Sequence, residues 1–143
     1  MSATIGSLLA EKGGEVFGIA PDASIFEALE LMAEKNVGAV IVLDDGGLVG
    51  ILSERDYARK IALKGRTSGT TTVSEIMTTS VSTVSPNASV DDCMEMMTTG
   101  RFRHLPVVDE GQLVGVISIG DIVKAVIERQ QALIGDLERY ITS

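Results

Sequence analysis

Apolar and polar positions fall into short blocks along this chain. Two nearly unbroken apolar runs, residues 38–43 and 48–52, flank Asp44-Asp45-Gly46-Gly47. Runs of this length bounded by turn residues predict strands over 39–43 and 48–52, and Asp-Gly between them predicts a hairpin. Ahead of them the spacing changes to threes and fours. Ile25, Leu29 and Met32 follow Ser24-Ile-Phe-Glu27, a capping box that predicts a helix to about Lys35. Ser89-Val-Asp-Asp92 opens a second such helix carrying Val90, Met94 and Met97, with strands after it over 105–108 and 113–117. Short apolar segments, 16–20 and 81–85, precede the two capping boxes. Final helices run from Ser53 to about Lys64 and from Ser118 to the C-terminus. Lead-in helices are expected over 4–10 and from Thr72-Val-Ser-Glu75.

The two halves of this pattern superpose. A shift of 65 positions aligns Pro21 with Pro86, Ser24 with Ser89, Met32 with Met97 and Asp44 with Asp109. It also aligns Gly50-Ile-Leu-Ser53-Glu-Arg-Asp56 with Gly115-Val-Ile-Ser118-Ile-Gly-Asp121. The chain is therefore two copies of one unit, each α-β-α-β-β-α: copy one over 1–64, a linker over 65–71, and copy two over 72–143 with an extended C-terminal helix. A three-stranded unit is marginal alone, so the copies are expected to pack sheet to sheet about a pseudo-twofold axis.

Composition narrows the function. Twelve basic against twenty acidic residues give a net charge of −8, which argues against binding nucleic acid through its phosphates. Aromatics are 3% and Trp is absent, so base-stacking platforms are not expected either. Cys93 is the single cysteine and His104 the single histidine, which leaves neither an internal disulfide nor a metal site to expect. No basic, apolar leader opens the chain and no apolar run is long enough for a bilayer, so a cytoplasmic protein without membrane contact is expected.

The Ser-x-x-Asp motifs admit two readings. Ser at an N-cap with a carboxylate three residues on satisfies otherwise orphaned N–H groups and contributes about 0.5–2 kcal/mol. Yet four other helix starts here lack the preceding Gly. Gly50 and Gly115 let something approach the strand end closely, beside a helix N-terminus suited to phosphate, and an Asp there can accept from two ribose hydroxyls. Arg101-Phe-Arg103-His104 gathers cations against the acidic background, a natural counter-charge for phosphate. Copy one has Asn36-Val-Gly38-Ala39 at that place, so the copies are expected to be inequivalent. Met94 and Met97 read as core. The long C-terminal helix keeps Ile122, Val123, Val126, Leu133, Ile134, Leu137, Tyr140 and Ile141 apolar, and a dimer contact is expected of it.

A tandem unit with Gly-aliphatic-aliphatic-Ser-x-x-Asp after its last strand, and Arg103-His104-Leu-Pro106-Val before its second, resembles the cystathionine-β-synthase-type (CBS) domain pair. The resemblance covers the chain from Thr4 to about Ile127, with nothing left over for a catalytic domain. It implies an adenine nucleotide (AMP, ADP, ATP or NAD) held in clefts between the repeats, in a homodimer that reports ligand state to a downstream protein. By resemblance Asp56 and Asp121 are ribose hooks, and Ser53 and Ser118 lie beside sugar or phosphate. Arg103 and His104 reach phosphate, Thr83 supplies a hydroxyl, and Arg55, Pro106 and Gly120 belong to the same segments. Neither a catalytic cofactor nor a metal is implied. A ligand-free dimeric interaction module is the alternative. An enzyme is not expected, since no Walker loop or nucleophile with its base is present.

Overall fold

A computed structural model describes residues 3–142 of the chain. In chain order the elements are α1 (Ile5–Lys12), β1 (Gly18–Ile19), α2 (Ile25–Lys35), β2 (Ala39–Asp44), β3 (Gly47–Ser53) and α3 (Glu54–Tyr57), which runs into a π-helical turn over Ala58–Ala62. They continue with α4 (Val73–Ile76), α5 (Val90–Gly100), β4 (His104–Asp109), β5 (Gln112–Ser118) and α6 (Ile119–Thr142). Among the described residues no helix is long and apolar enough to cross a membrane.

Two compact units divide the chain, and their borders cut across the repeat. One spans Glu15–Ser82; the other joins the segment up to Gly14 with the chain from Thr83 onward. Each unit takes in the lead-in helix that precedes the other copy. In the first, Val73 N–H donates to Ala23 O at 2.8 Å, Ser74 N–H to Pro21 O at 2.9 Å, and Ile25 N–H to Thr71 O at 2.9 Å. The second repeats this triplet: Ile5 N–H to Ala88 O at 2.9 Å, Gly6 N–H to Pro86 O at 2.8 Å, and Val90 N–H to Ala3 O at 2.9 Å. The same bonds thus fix α4 on copy one and α1 on copy two.

Each unit has its own core. Ile25, Ala28 and Met32 of α2 pack with Val40 and Val42 of β2, Leu52 of β3, and Val73 and Ile76 of α4. Val90, Cys93 and Met97 of α5 pack with Leu105, Val107, Ile117, Ile122 and Ile5. Residues three and seven apart stack on one helix face, so Cys93 takes the place of Ala28. Met94, expected in the core, is 40% exposed instead. Burial raises the pKa of the Cys93 thiol, with a further push from Asp92, which makes it an inert core group.

The hairpins have two-residue turns at Asp45-Gly46 and Glu110-Gly111, all four with positive φ. Both carry a bulge at the same place, between Val42 and Leu43 and between Val107 and Val108. The sheets then differ. β1 pairs parallel with β2, whereas in copy two only one bridge, Val84 to Val107, survives. Pro106 is the cause. At the equivalent place Ile41 N–H donates to Phe17 O at 3.0 Å, and proline has no such proton to give.

Candidate functional site

Both Ser-x-x-Asp motifs close as reciprocal caps. Ser118 N–H donates to Asp121 Oδ2 at 2.8 Å, and Asp121 N–H returns to Ser118 Oγ at 3.2 Å. In copy one Ser53 N–H donates to Asp56 Oδ2 at 3.0 Å and Asp56 N–H to Ser53 Oγ at 3.2 Å. The first helical amides are also spoken for. Glu54 N–H reaches Gly38 O at 3.0 Å, and Ile119 N–H reaches Arg103 O at 2.8 Å. These bonds anchor each helix start to the strand beside it, and they remove donors that an anion would use.

The glycines before the motifs have a packing partner. A Cβ on Gly115 would lie 2.6 Å from Leu9 Cδ2, and one on Gly50 would lie 2.6 Å from Met77 Sδ. The close approach expected there is made by the docked lead-in segment, by α1 in one unit and by the residue after α4 in the other.

The same lead-in helix brings a cation that the sequence pattern did not single out. Lys12, in the last turn of α1, places Nζ 2.7 Å from Asp121 Oδ2 and donates to Val116 O, also at 2.7 Å. Asp56 has a local counterpart, Lys60, whose Nζ is 3.2 Å from Oδ1 and donates to Ile76 O at 3.0 Å. The consequence is an asymmetry at the atomic level. Asp56 uses both carboxylate oxygens, while the Ser118 N–H and Lys12 Nζ bonds to Asp121 both fall on Oδ2.

His104 stands opposite Ser118 across the β4–β5 pair, half-buried, and its neighbour Arg103 is exposed at the same sheet edge. Burial lowers the imidazole pKa; Lys12 and Arg103 lower it further, against the opposing pull of Asp121. For Asp121, burial pushes the carboxyl up, but the bonds from Lys12 and Ser118 outweigh it and the net shift is downward. Among the described residues Arg103 forms no ion pair. One edge of this unit therefore gathers Lys12, Arg103, His104, Ser118 and Asp121. Pro106 is buried on β4, opposite Val116, and exposed Thr83 precedes Val84 along the far side of that strand. Gly120 is exposed at the second position of α6.

In the other unit Ser53, Arg55 and Asp56 form the corresponding edge without a His or Arg from the strand before it. A cavity of about 380 Å³ lies beside it, against Asn36, Gly38 and Glu54, and no cation lines it. The space beside Lys12 and Asp121 is smaller, about 130 Å³. Its lining is acidic on balance, Glu11, Asp121 and Glu128 against Lys12 and Lys124, and Arg103 and His104 lie outside it. Among the described residues no group of three or more His, Cys, Asp or Glu is placed to hold a metal.

Comparison with known proteins places this arrangement. The family model for the CBS domain matches twice, over residues 14–63 and 73–128. The chain belongs to the CBS domain family. A CBS domain-containing protein of Bacillus subtilis, YhcV, is 40% identical over 108 residues, 76% of each chain. A crystal structure of a CBS domain superposes with a TM-score of 0.85 at 47% identity, covering 89% of this chain and 99% of the other. The CBS domain pair of protein MJ0100, in complex with 5′-methylthioadenosine and S-adenosyl-L-methionine, superposes with a TM-score of 0.79 at 26% identity, covering 90% and 99%. The repeated unit and the mixed α/β architecture are thus those of a CBS domain pair.

Proposed function

We propose that this CBS pair is a regulatory module that binds an adenine nucleotide (AMP, ADP, ATP or NAD) and passes its ligand state to a partner protein by a conformational change. The observation that carries the reading is the edge of copy two. The Ser118 N–H and Lys12 bonds to Asp121 both fall on Oδ2, and Arg103 and His104 stand at the same edge with Arg103 in no ion pair among the described residues. An acceptor for ribose hydroxyls beside cations for phosphate is what a ribonucleotide needs. The ligands of MJ0100, 5′-methylthioadenosine and S-adenosyl-L-methionine, share the adenosine part of such a nucleotide and support that part of the reading; they carry no phosphate.

In this reading Asp121 and Ser118 contact the sugar, Arg103 and His104 the phosphate, and Thr83, Pro106 and Gly120 line the approach. Ser53, Arg55 and Asp56 form the weaker second site, because both oxygens of Asp56 already accept a bond and no Arg or His from the strand before it stands at that edge. A thermal-shift and calorimetry series with AMP, ADP, ATP, NAD and adenosine tests this. At 100 times its Kd a ligand stabilises the fold by about 2.7 kcal/mol. Asp121→Ala is expected to lose binding while the fold persists, and Arg103→Ala to weaken AMP and ATP far more than adenosine. Silence toward every nucleotide overturns the proposal.

A further inference from the structure

Two donors converge on one oxygen of Asp121. Lys12 Nζ lies 2.7 Å from Oδ2, and the Ser118 N–H donates to the same atom at 2.8 Å. A carboxylate oxygen offers two lone-pair sites, so these bonds fill Oδ2. A ribose that engages the carboxylate with one hydroxyl on each oxygen therefore has to displace one of them. The Ser118 N–H is backbone, fixed where β5 ends and α6 begins, and its loss would open the cap. Lys12 is the donor that can leave. Its side chain is 39% exposed on a flexible four-carbon stem, and exposed ion pairs are weakly held.

Displacement hinders every ribonucleoside alike, but what the freed ammonium meets depends on the ligand. Lys12 Nζ also donates to Val116 O at 2.7 Å, and Val116 stands two residues along β5 from Ser118, the residue opposite His104. Its charge reaches the imidazole, whose pKa is lowered first by burial and then by Lys12. A phosphate held by Arg103 and His104 thus comes within the field of Lys12 and can accept its N–H. A neutral nucleoside gives the ammonium no such partner. Copy one is built differently: Lys60 rises from the helical segment that follows Asp56, takes Oδ1 rather than Oδ2, and faces no Arg or His from the strand before it.

We infer that Lys12 is a specificity-determining residue of the copy-two edge: a ribose hydroxyl displaces its ammonium from Asp121 Oδ2, and a ligand phosphate takes that ammonium up. Lys12 thereby selects phosphorylated ligands and works against neutral nucleosides. The inference rests on the nucleotide reading of this edge and adds the discrimination to it.

Calorimetric titration of the full chain with AMP and with adenosine tests it, for the wild type, Lys12→Met and Lys12→Arg. Methionine keeps the apolar stem and drops the charge, and circular dichroism with a Tm reports whether the fold is kept. Lys12→Met is expected to weaken AMP about tenfold and to tighten adenosine about two- to fivefold. Lys12→Arg, which keeps the charge, is expected to retain the preference for AMP. Opposite signs for the two ligands are what a purely structural lysine cannot produce. Equal losses for both overturn the inference, as does adenosine that binds no tighter without the lysine, or an arginine variant that behaves like the methionine one. Wild-type silence toward both ligands sinks the nucleotide reading and this inference together; wild-type binding with an unmoved AMP-to-adenosine ratio in Lys12→Met sinks the inference alone.

Discussion

Lys12 sits 2.7 Å from Asp121 on Oδ2, the same oxygen that closes the Ser118 cap. Lys12 lies 109 positions before it in the chain, so the contact exists only because α1 docks on copy two. The lysine side chain is 39% and the aspartate 25% exposed, a setting in which an ion pair contributes about 0–1 kcal/mol. Its effect on titration is easier to see. The carboxyl pKa lies below its ordinary value of about 3.9, so the pair stabilises the fold above that pH, and the contribution is lost as pH falls through the lower folded value. Lys12→Met is expected to raise the Asp121 pKa and to destabilise at pH 7 but not near pH 2. Carboxyl NMR titration with denaturation at the two pH values checks this, and an unmoved Asp121 pKa contradicts it.

His104 carries the opposite charge chemistry with the same sign of pH dependence. Its folded pKa is depressed by burial, then by Lys12 and Arg103, so the folded state resists protonation. The unfolded chain takes up the proton first, near pH 6.5, and stability falls as pH drops from there toward the lowered folded value. His104→Asn is expected to flatten the stability profile between about pH 5 and 7. On the nucleotide reading, a bound phosphate reverses the local field, so AMP binding near pH 6 is accompanied by proton uptake. Calorimetry in buffers of different ionisation enthalpy measures it, and a release of protons contradicts it.

Gly115 separates packing from ligand contact at the motif. Its missing Cβ is occupied by Leu9 at 2.6 Å, so Gly115→Ala forces the α1 side chain aside and is expected to cost about 1–3 kcal/mol. Leu9→Ala makes room, and the double variant is expected to fall well short of the summed single losses. A Gly115→Ala protein with wild-type stability and lost nucleotide binding would reassign this glycine to the ligand.

These contacts also mark where the sequence was legible. The hairpins, the caps at Ser24, Ser89, Ser53 and Ser118, and the repeat itself are local, and spacing alone predicts them. Lys12, Leu9 and Met77 were missed because their partners lie far along the chain, and repeat logic attached each lead-in helix to the copy it precedes. One cue was present: Thr4 and Thr72 align at a shift of 68 rather than 65, so the lead-ins stand outside the ungapped repeat. Met94 was misplaced for a different reason. The buried face of α5 is centred on Val90, Cys93 and Met97, which leaves Met94 at its margin, 40% exposed.

Glu110 offers a prediction free of any ligand. The hairpin turns at Asp45-Gly46 and Glu110-Gly111 have φ values of 51 and 78°, and 49 and 79°, the type I′ geometry that matches the strand twist. Its first position asks a side chain to accept the left-handed region, which Asn and Asp tolerate through their short polar groups and Glu does not. Copy one has Asp there; copy two carries the strain. Glu110 is exposed, so replacing it disturbs no core contact. Glu110→Asn is expected to stabilise the protein by about 0.5–1 kcal/mol, a rise in Tm of about 2–4 °C. Asp45→Asn, already at ease, is expected to change little. Equal effects at the two turns would show that the backbone there is not what limits stability.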